Sequence, residues 1–224
     1  MVSSVIIVAG GSGVRMGRGL PKQFRELDHQ PVLMHSIRAF HTWDPSAEIV
    51  VVLPEGFKTQ WLELCATHRF AIPHHLTTGG LTRFQSVKKG LDAMTRNSLV
   101  GIHDAVRPLI QTGTIERLFT AASEKGCAVP FIRPRDSVRW EDEKGSHTLN
   151  RKQIRLIQTP QVFQSSLLKI AYRQNEKPEF TDDASVWEAT GYTVHLIEGQ
   201  PSNLKITHED DLKLAEQLIH ISHE

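Results

Sequence analysis

The chain has 224 residues, 39% hydrophobic and 23% charged, and 26 lysines plus arginines against 25 acidic residues leave a formal charge of +1. That length suits one sizeable α/β core, and so even a balance argues against a dedicated DNA or RNA binder, whose surface carries a basic surplus. No apolar run approaches a membrane span and the N-terminus lacks a secretory pattern, so a cytoplasmic protein with neither membrane nor nucleic-acid partner is expected.

In chain order, the β-branched run Ser4–Ala9 reads as a buried strand that breaks into a glycine-rich loop. Leu33, Ile37 and Phe40 share a helical face, Glu48–Leu53 reads as a strand, and Phe57, Trp61 and Leu64 form a second helical stripe. A weaker strand, His74–Thr77, precedes a helix carrying Phe84, Val87, Leu91 and Met94; Leu99–His103 and Cys127–Ile132 are again strands. Residues 134–158 are polar, with a turn signal at Asp142-Glu143-Lys144-Gly145, and are predicted to project as a two-stranded ribbon of residues 135–141 and 147–157. An isolated ribbon is marginal in water, which favours packing on a second subunit. The strand Tyr192–Ile197 and a helix bearing Leu212, Ala215, Leu218 and Ile219 close the chain, with Thr207 and Asp210 spaced as a capping box. The expectation is a single α/β domain over residues 1–224. It has a Rossmann-like, mostly parallel twisted sheet with helices on both faces and a β-ribbon arm used in dimerisation.

Twelve histidines and two cysteines, Cys65 and Cys127, form no His-Glu-x-x-His, Cys-x-x-Cys or mixed cluster, so no metal ligand is assigned and the thiols read as reduced core groups. The chemistry gathers at Gly10-Gly11-Ser12-Gly13-Val14-Arg15-Met16-Gly17, followed by Pro21-Lys22. Glycines let successive backbone N–H groups face a ligand closely, a nest suited to phosphate, and Arg15 and Lys22 add full charges. Named signatures fail here. A dinucleotide fingerprint would need glycine at Met16 and an acidic residue where the second strand ends in Leu53-Pro54. A phosphate loop of the Gly-Lys-Ser/Thr kind and a hydrolase elbow fail as well. A nucleoside triphosphate site of another kind remains.

The ordered blocks carry a resemblance. They are the first loop with Pro21-Lys22-Gln23-Phe24, Gly79-Gly80-Leu81-Thr82-Arg83-Phe84-Gln85-Ser86-Val87 and His103-Asp104-Ala105-Val106-Arg107-Pro108. Then follow Thr159-Pro160-Gln161-Val162-Phe163, Thr181-Asp182-Asp183-Ala184-Ser185-Val186 and Asn203-Leu204-Lys205-Ile206-Thr207. From about residue 4 to 217 the chain resembles the 2-C-methyl-D-erythritol 4-phosphate cytidylyltransferases. The resemblance implies that CTP and methylerythritol phosphate are joined and pyrophosphate released, in isoprenoid precursor synthesis by the non-mevalonate route. Two other readings are a ribitol-5-phosphate cytidylyltransferase and a nucleotide-binding sensor without chemistry.

By that resemblance Arg15 and Lys22 stabilise the transition state, and Ala9, Gly10, Gly11, Ser12, Gly13, Gly80, Arg83, Ser86 and Ala105 bind the nucleotide. Asp104, Arg107, Ser137, Arg151, Thr159, Thr181 and Lys205 serve the sugar-alcohol phosphate, with Ser137, Arg151 and Thr159 completing a homodimer partner's site when the arm is exchanged. Magnesium is expected, bound mainly through the nucleotide's phosphates. His103, one residue before Asp104, points away and is structural. Thr82 stands where the family commonly has glutamate, Ser137 where it has threonine and Glu209 where it has proline. Thr181 is expected to cap a helix whose first turn holds Asp182 and Asp183.

Overall fold

The computed structural model describes residues 2–9 and 21–221. The elements are β1 (Ser3–Val8), β2 (Glu26–Leu27), β3 (Gln30–Pro31), α1 (Val32–Trp43), β4 (Glu48–Leu53), α2 (Lys58–Thr67), β5 (His75–Thr78), α3 (Arg83–Ala93) and β6 (Leu99–Asp104). They continue with α4 (Thr112–Lys125), β7 (Cys127–Ile132), β8 (Val138–Asp142), β9 (Gly145–Leu149), β10 (Leu156–Ile157), β11 (Gln161–Gln164), α5 (Ser165–Ala171), α6 (Asp183–Glu188), β12 (Leu196–Glu198) and α7 (Glu209–Ile221). The main sheet runs β10-β7-β11-β6-β1-β4-β5, with β12 also on β7. β1 is parallel to β4 and β6, and β4 to β5. Among the described residues, β11 runs against its neighbours in the middle of the sheet, pairing antiparallel with both β6 and β7.

Alternation along the strands feeds two cores. On one face Val5, Ile7, Ile49 and Val51 meet Leu33, Ile37 and Phe40 of α1, Trp61 of α2, and Ile115, Leu118 and Phe119 of α4. On the other, Ile6, Val50, Val52 and Ile102 meet Phe84, Val87 and Leu91 of α3, Leu168 of α5, and Val186 and Trp187 of α6. Helices therefore cover both faces. At Gly90, α3 lies so close to β1 that an added Cβ would stand 2.6 Å from Ile6 Cγ2, so only glycine lets the helix approach this far.

Several sequence expectations need correction. The predicted strand Tyr192–Ile197 is shorter, because Thr193 gives its carbonyl to the Trp187 indole and the Cys127 thiol, and ladder pairing with β7 begins only at Leu196. The ribbon exists as β8 and β9, paired Val138 to Leu149 through Asp142 to Gly145, with narrower bounds than predicted. Asn150 ends its second strand by capping a single 3-10 turn, Arg151–Gln153, and β10 then leaves the ribbon to pair with β7. Asp211, not Asp210, accepts from the Thr207 hydroxyl and the amides of Thr207 and His208 ahead of α7. Asp182, not Thr181, caps α6, in a capping box with Ser185.

Candidate active site

Because β1, β4, β5 and β6 are parallel, their carboxyl ends share one edge of the sheet, where open α/β sheets place their ligand crevice. A cleft of about 850 Å³ lies there, walled by Val8, Ala9, Gly80, Arg83, Asp104 and Lys205 among others. Of the residues predicted to act, Ala9, Lys22, Gly80, Arg83, Ser86, Asp104, Ala105 and Lys205 all line it. Gly10, Gly11, Ser12, Gly13 and Arg15 lie outside the described residues.

Lys22 sits on a 3-10 turn, Lys22–Phe24, that is anchored on two sides. Gln23 donates its side-chain amide to the Ala9 carbonyl at 2.7 Å, tying the turn to the end of β1. Phe24 is buried and stacks on Phe57 and Trp61 at centroid distances of 5.6 and 6.1 Å. The Lys22 ammonium donates to the Thr207 carbonyl at 2.8 Å, and both residues line the cleft.

Thr82, also in the lining, caps α3 by accepting from the Gln85 amide. A threonine at this position therefore has a structural task. Ser86 accepts from the Gly80 amide at 3.0 Å and donates to the Thr82 carbonyl at 2.8 Å, folding the strand exit onto the helix. A Cβ on Gly80 would stand 2.3 Å from that of Gln85, so the fold of this loop demands glycine.

At the end of β6, Asp104 carries the site's central charge. Lys205 Nζ stands 2.8 Å from Oδ2, Arg83 Nε 3.5 Å from Oδ1 and Arg107 Nε 3.8 Å from Oδ2. Burial alone would push this carboxyl up, but Arg83, Lys205 and Arg107 outweigh it and hold Asp104 ionised, well below the usual carboxylate range. Both of its oxygens face cations, so Asp104 is a poor donor for a divalent ion. Among the described residues no group of three or more His, Cys, Asp or Glu side chains is placed to hold a metal. The donor set here does not fit a protein-held ion.

Arg107 and Thr159 stand behind the wall rather than in it. Arg107 donates to the Asn203 carbonyl at 2.8 Å, and Thr159 Oγ1 accepts from the Asp104 amide at 3.0 Å. His103 packs edge-on to Phe40 in the opposite core layer, with Nε2 near the Arg107 carbonyl and Nδ1 near the Thr159 hydroxyl. Those partners suit a neutral ring protonated on Nε2, and burial lowers its pKa to about 4. Ser137 and Arg151 are exposed, at the foot of the ribbon, where Arg151 donates to the Arg135 carbonyl at 2.6 Å; neither lines this cleft. Thr181 is exposed and precedes α6.

Sequence reasoning gave Asp183 no bond of its own. It is fully buried and takes both terminal nitrogens of Arg83, a contact between distant segments that no local pattern announces.

The family model described as IspD, 2-C-methyl-D-erythritol 4-phosphate cytidylyltransferase, matches residues 3–220. The chain belongs to the 2-C-methyl-D-erythritol 4-phosphate cytidylyltransferase family. The protein of that name from Bacteroides thetaiotaomicron is 46% identical over 219 residues, covering 98% of this chain and 100% of that protein. Its counterpart in Bacteroides fragilis is 47% identical over 219 residues, with the same coverage of 98% and 100%. The crystal structure of the cytidylyltransferase from Thermus thermophilus matches with a TM-score of 0.81 and 32% identity, over 98% of this chain and 100% of that one. In a cytidylyltransferase, a cleft walled by Lys22, Arg83 and Lys205 is suited to hold phosphate groups against one another's repulsion.

Proposed function

We propose that the chain transfers the cytidylyl group of CTP to 2-C-methyl-D-erythritol 4-phosphate and releases pyrophosphate, a step in isoprenoid precursor synthesis. The observation that carries this reading is the cationic cleft at the sheet's carboxyl edge in a full-length member of the cytidylyltransferase family. An oxygen of the acceptor's phosphate bonds to the α-phosphorus of CTP as the bond to the β-phosphate's bridging oxygen breaks. A phosphomonoester with a second pKa of about 6 is already largely dianionic at neutral pH, so no general base is needed. The barrier is charge, and catalysis rests on positioning and on cations fixed where charge develops.

In this reading Arg15 and Lys22 stabilise charge at the α-phosphate, and Ala9, Gly10, Gly11, Ser12, Gly13, Gly80, Arg83, Ser86 and Ala105 hold the nucleotide. Asp104, Arg107, Thr159, Thr181 and Lys205 serve the acceptor. The exposure of Ser137 and Arg151 on the ribbon supports a homodimer in which residues 134–158 of one protomer complete the partner's site. Magnesium enters with the nucleotide's phosphates. Free Cys65 and Cys127 support a cytoplasmic setting, and among the described residues no helix is long and apolar enough to cross a membrane.

The test is pyrophosphate release with CTP, magnesium and either methylerythritol phosphate or ribitol 5-phosphate. Turnover with the first and little with the second is expected. Preference for ribitol 5-phosphate overturns the acceptor, and CTP binding without pyrophosphate release overturns the chemistry.

A further inference from the structure

Asp183 opens α6 with no solvent exposure. Its oxygens accept from both terminal nitrogens of Arg83, Oδ1 from Nη1 at 3.0 Å and Oδ2 from Nη2 at 2.7 Å. Behind it the Tyr172 hydroxyl donates to Oδ1 at 2.6 Å. On its other side Arg83 directs Nε to Asp104. A guanidinium has five N–H groups in a rigid planar fork, so Nε and one N–H of each terminal nitrogen are committed to carboxylates. One N–H on each terminal nitrogen remains, and Arg83 lines the cleft with its side chain partly exposed.

Apolar packing already surrounds the pair. Phe84 of α3 already stacks on Tyr172 and Phe180, with centroids 4.7 and 5.8 Å away, and Ala184, Val186 and Trp187 are core residues. Buried ion pairs are often no more stabilising than apolar groups of similar shape. What a bidentate clamp supplies here is direction, for a side chain that otherwise has a long flexible stem.

We propose that Asp183, backed by Tyr172, is a positioning residue that fixes how Arg83 presents its remaining N–H groups to the nucleotide. The inference rests on the function proposed above. Without the Asp183 charge, both terminal nitrogens of Arg83 lose the carboxylate that directs them.

Steady-state kinetics on the full chain, varying CTP and methylerythritol phosphate separately, tests this. Asp183→Asn is expected to raise the nucleotide KM at least about fivefold and leave the acceptor KM within about twofold, whereas mere loss of folded protein lowers kcat and moves neither KM. In an Arg83→Ala background the same substitution is expected to change the nucleotide KM less than about twofold, since the two act as one unit. If Asp183→Asn does not fold, Tyr172→Phe decides, because it keeps the ring on Phe84 and removes only the hydroxyl. A rise of about threefold in nucleotide KM supports the clamp. An active wild type whose nucleotide KM ignores the deciding variant overturns the inference alone. A wild type that releases no pyrophosphate overturns the proposed function, and the inference with it.

Discussion

The cleft and the arm handle charge in opposite ways. At the cleft, Asp104 is 7% exposed and faces Lys205, Arg83 and Arg107, and behind it Asp183, 0% exposed, takes Arg83 and the Tyr172 hydroxyl. On the arm, Trp140 is 58% exposed and Arg139 finds its partners within its own ribbon, at Thr148 and the Ser146 carbonyl. A buried charge network holds its geometry because unpairing any member is costly. A two-stranded ribbon in water has no such constraint. The geometry around Asp104 is thus held from several segments at once, whereas Ser137 and Arg151 are exposed at the foot of the arm.

The sharpest contrast is Arg83→Met against Arg139→Met. The first leaves Asp183 buried without its cation and is expected to cost about 3–5 kcal/mol in urea unfolding. The second, on the arm, should stay within about 0.5 kcal/mol. Equal costs would break the distinction between the two regions. Next, Lys22→Ala is expected to lower turnover by about 10²–10³ with a nearly unchanged melting temperature, because Gln23 and Phe24 hold the turn without it. A large loss of thermal stability would make Lys22 a structural residue instead.

A smaller effect is pH dependence from beneath the site. His103 is neutral in the fold, with a pKa of about 4, while the unfolded chain protonates near 6.5. The unfolded state therefore binds more protons between these values. The full contribution is present above pH 6.5 and is lost as pH falls toward about 4, about 3 kcal/mol in all. His103→Gln should flatten part of that acid slope. His35 and His74, also lowered by burial, keep the remainder.

Strands buried on both faces were the most legible part of the sequence. Glu48–Leu53 and Cys127–Ile132 have the predicted bounds because their β-branched and apolar runs admit few other readings. The helix α4 was missed although Ile115, Leu118, Phe119 and Ala122 recur at helical spacing and Gly126 ends it in a left-handed cap. The strand β11 is different, because four residues between a proline and a helix carry too short a pattern to read. Cleft residues were legible wherever a motif sat at a strand's end, as with Asp104 and Ala105. The Asp183–Arg83 clamp was not, since it exists only once α3 and α6 pack on the same sheet face.

Mixing subunits tests most directly whether the cleft of one chain works with the arm of another. Protomers carrying Lys22→Ala are combined with protomers carrying Arg151→Ala, and the hybrid is purified and assayed for pyrophosphate release. If the arm is exchanged, one site of the hybrid bears both lesions and the other neither, so about half of the wild-type activity should return. A hybrid no more active than either parent contradicts a site shared between two chains.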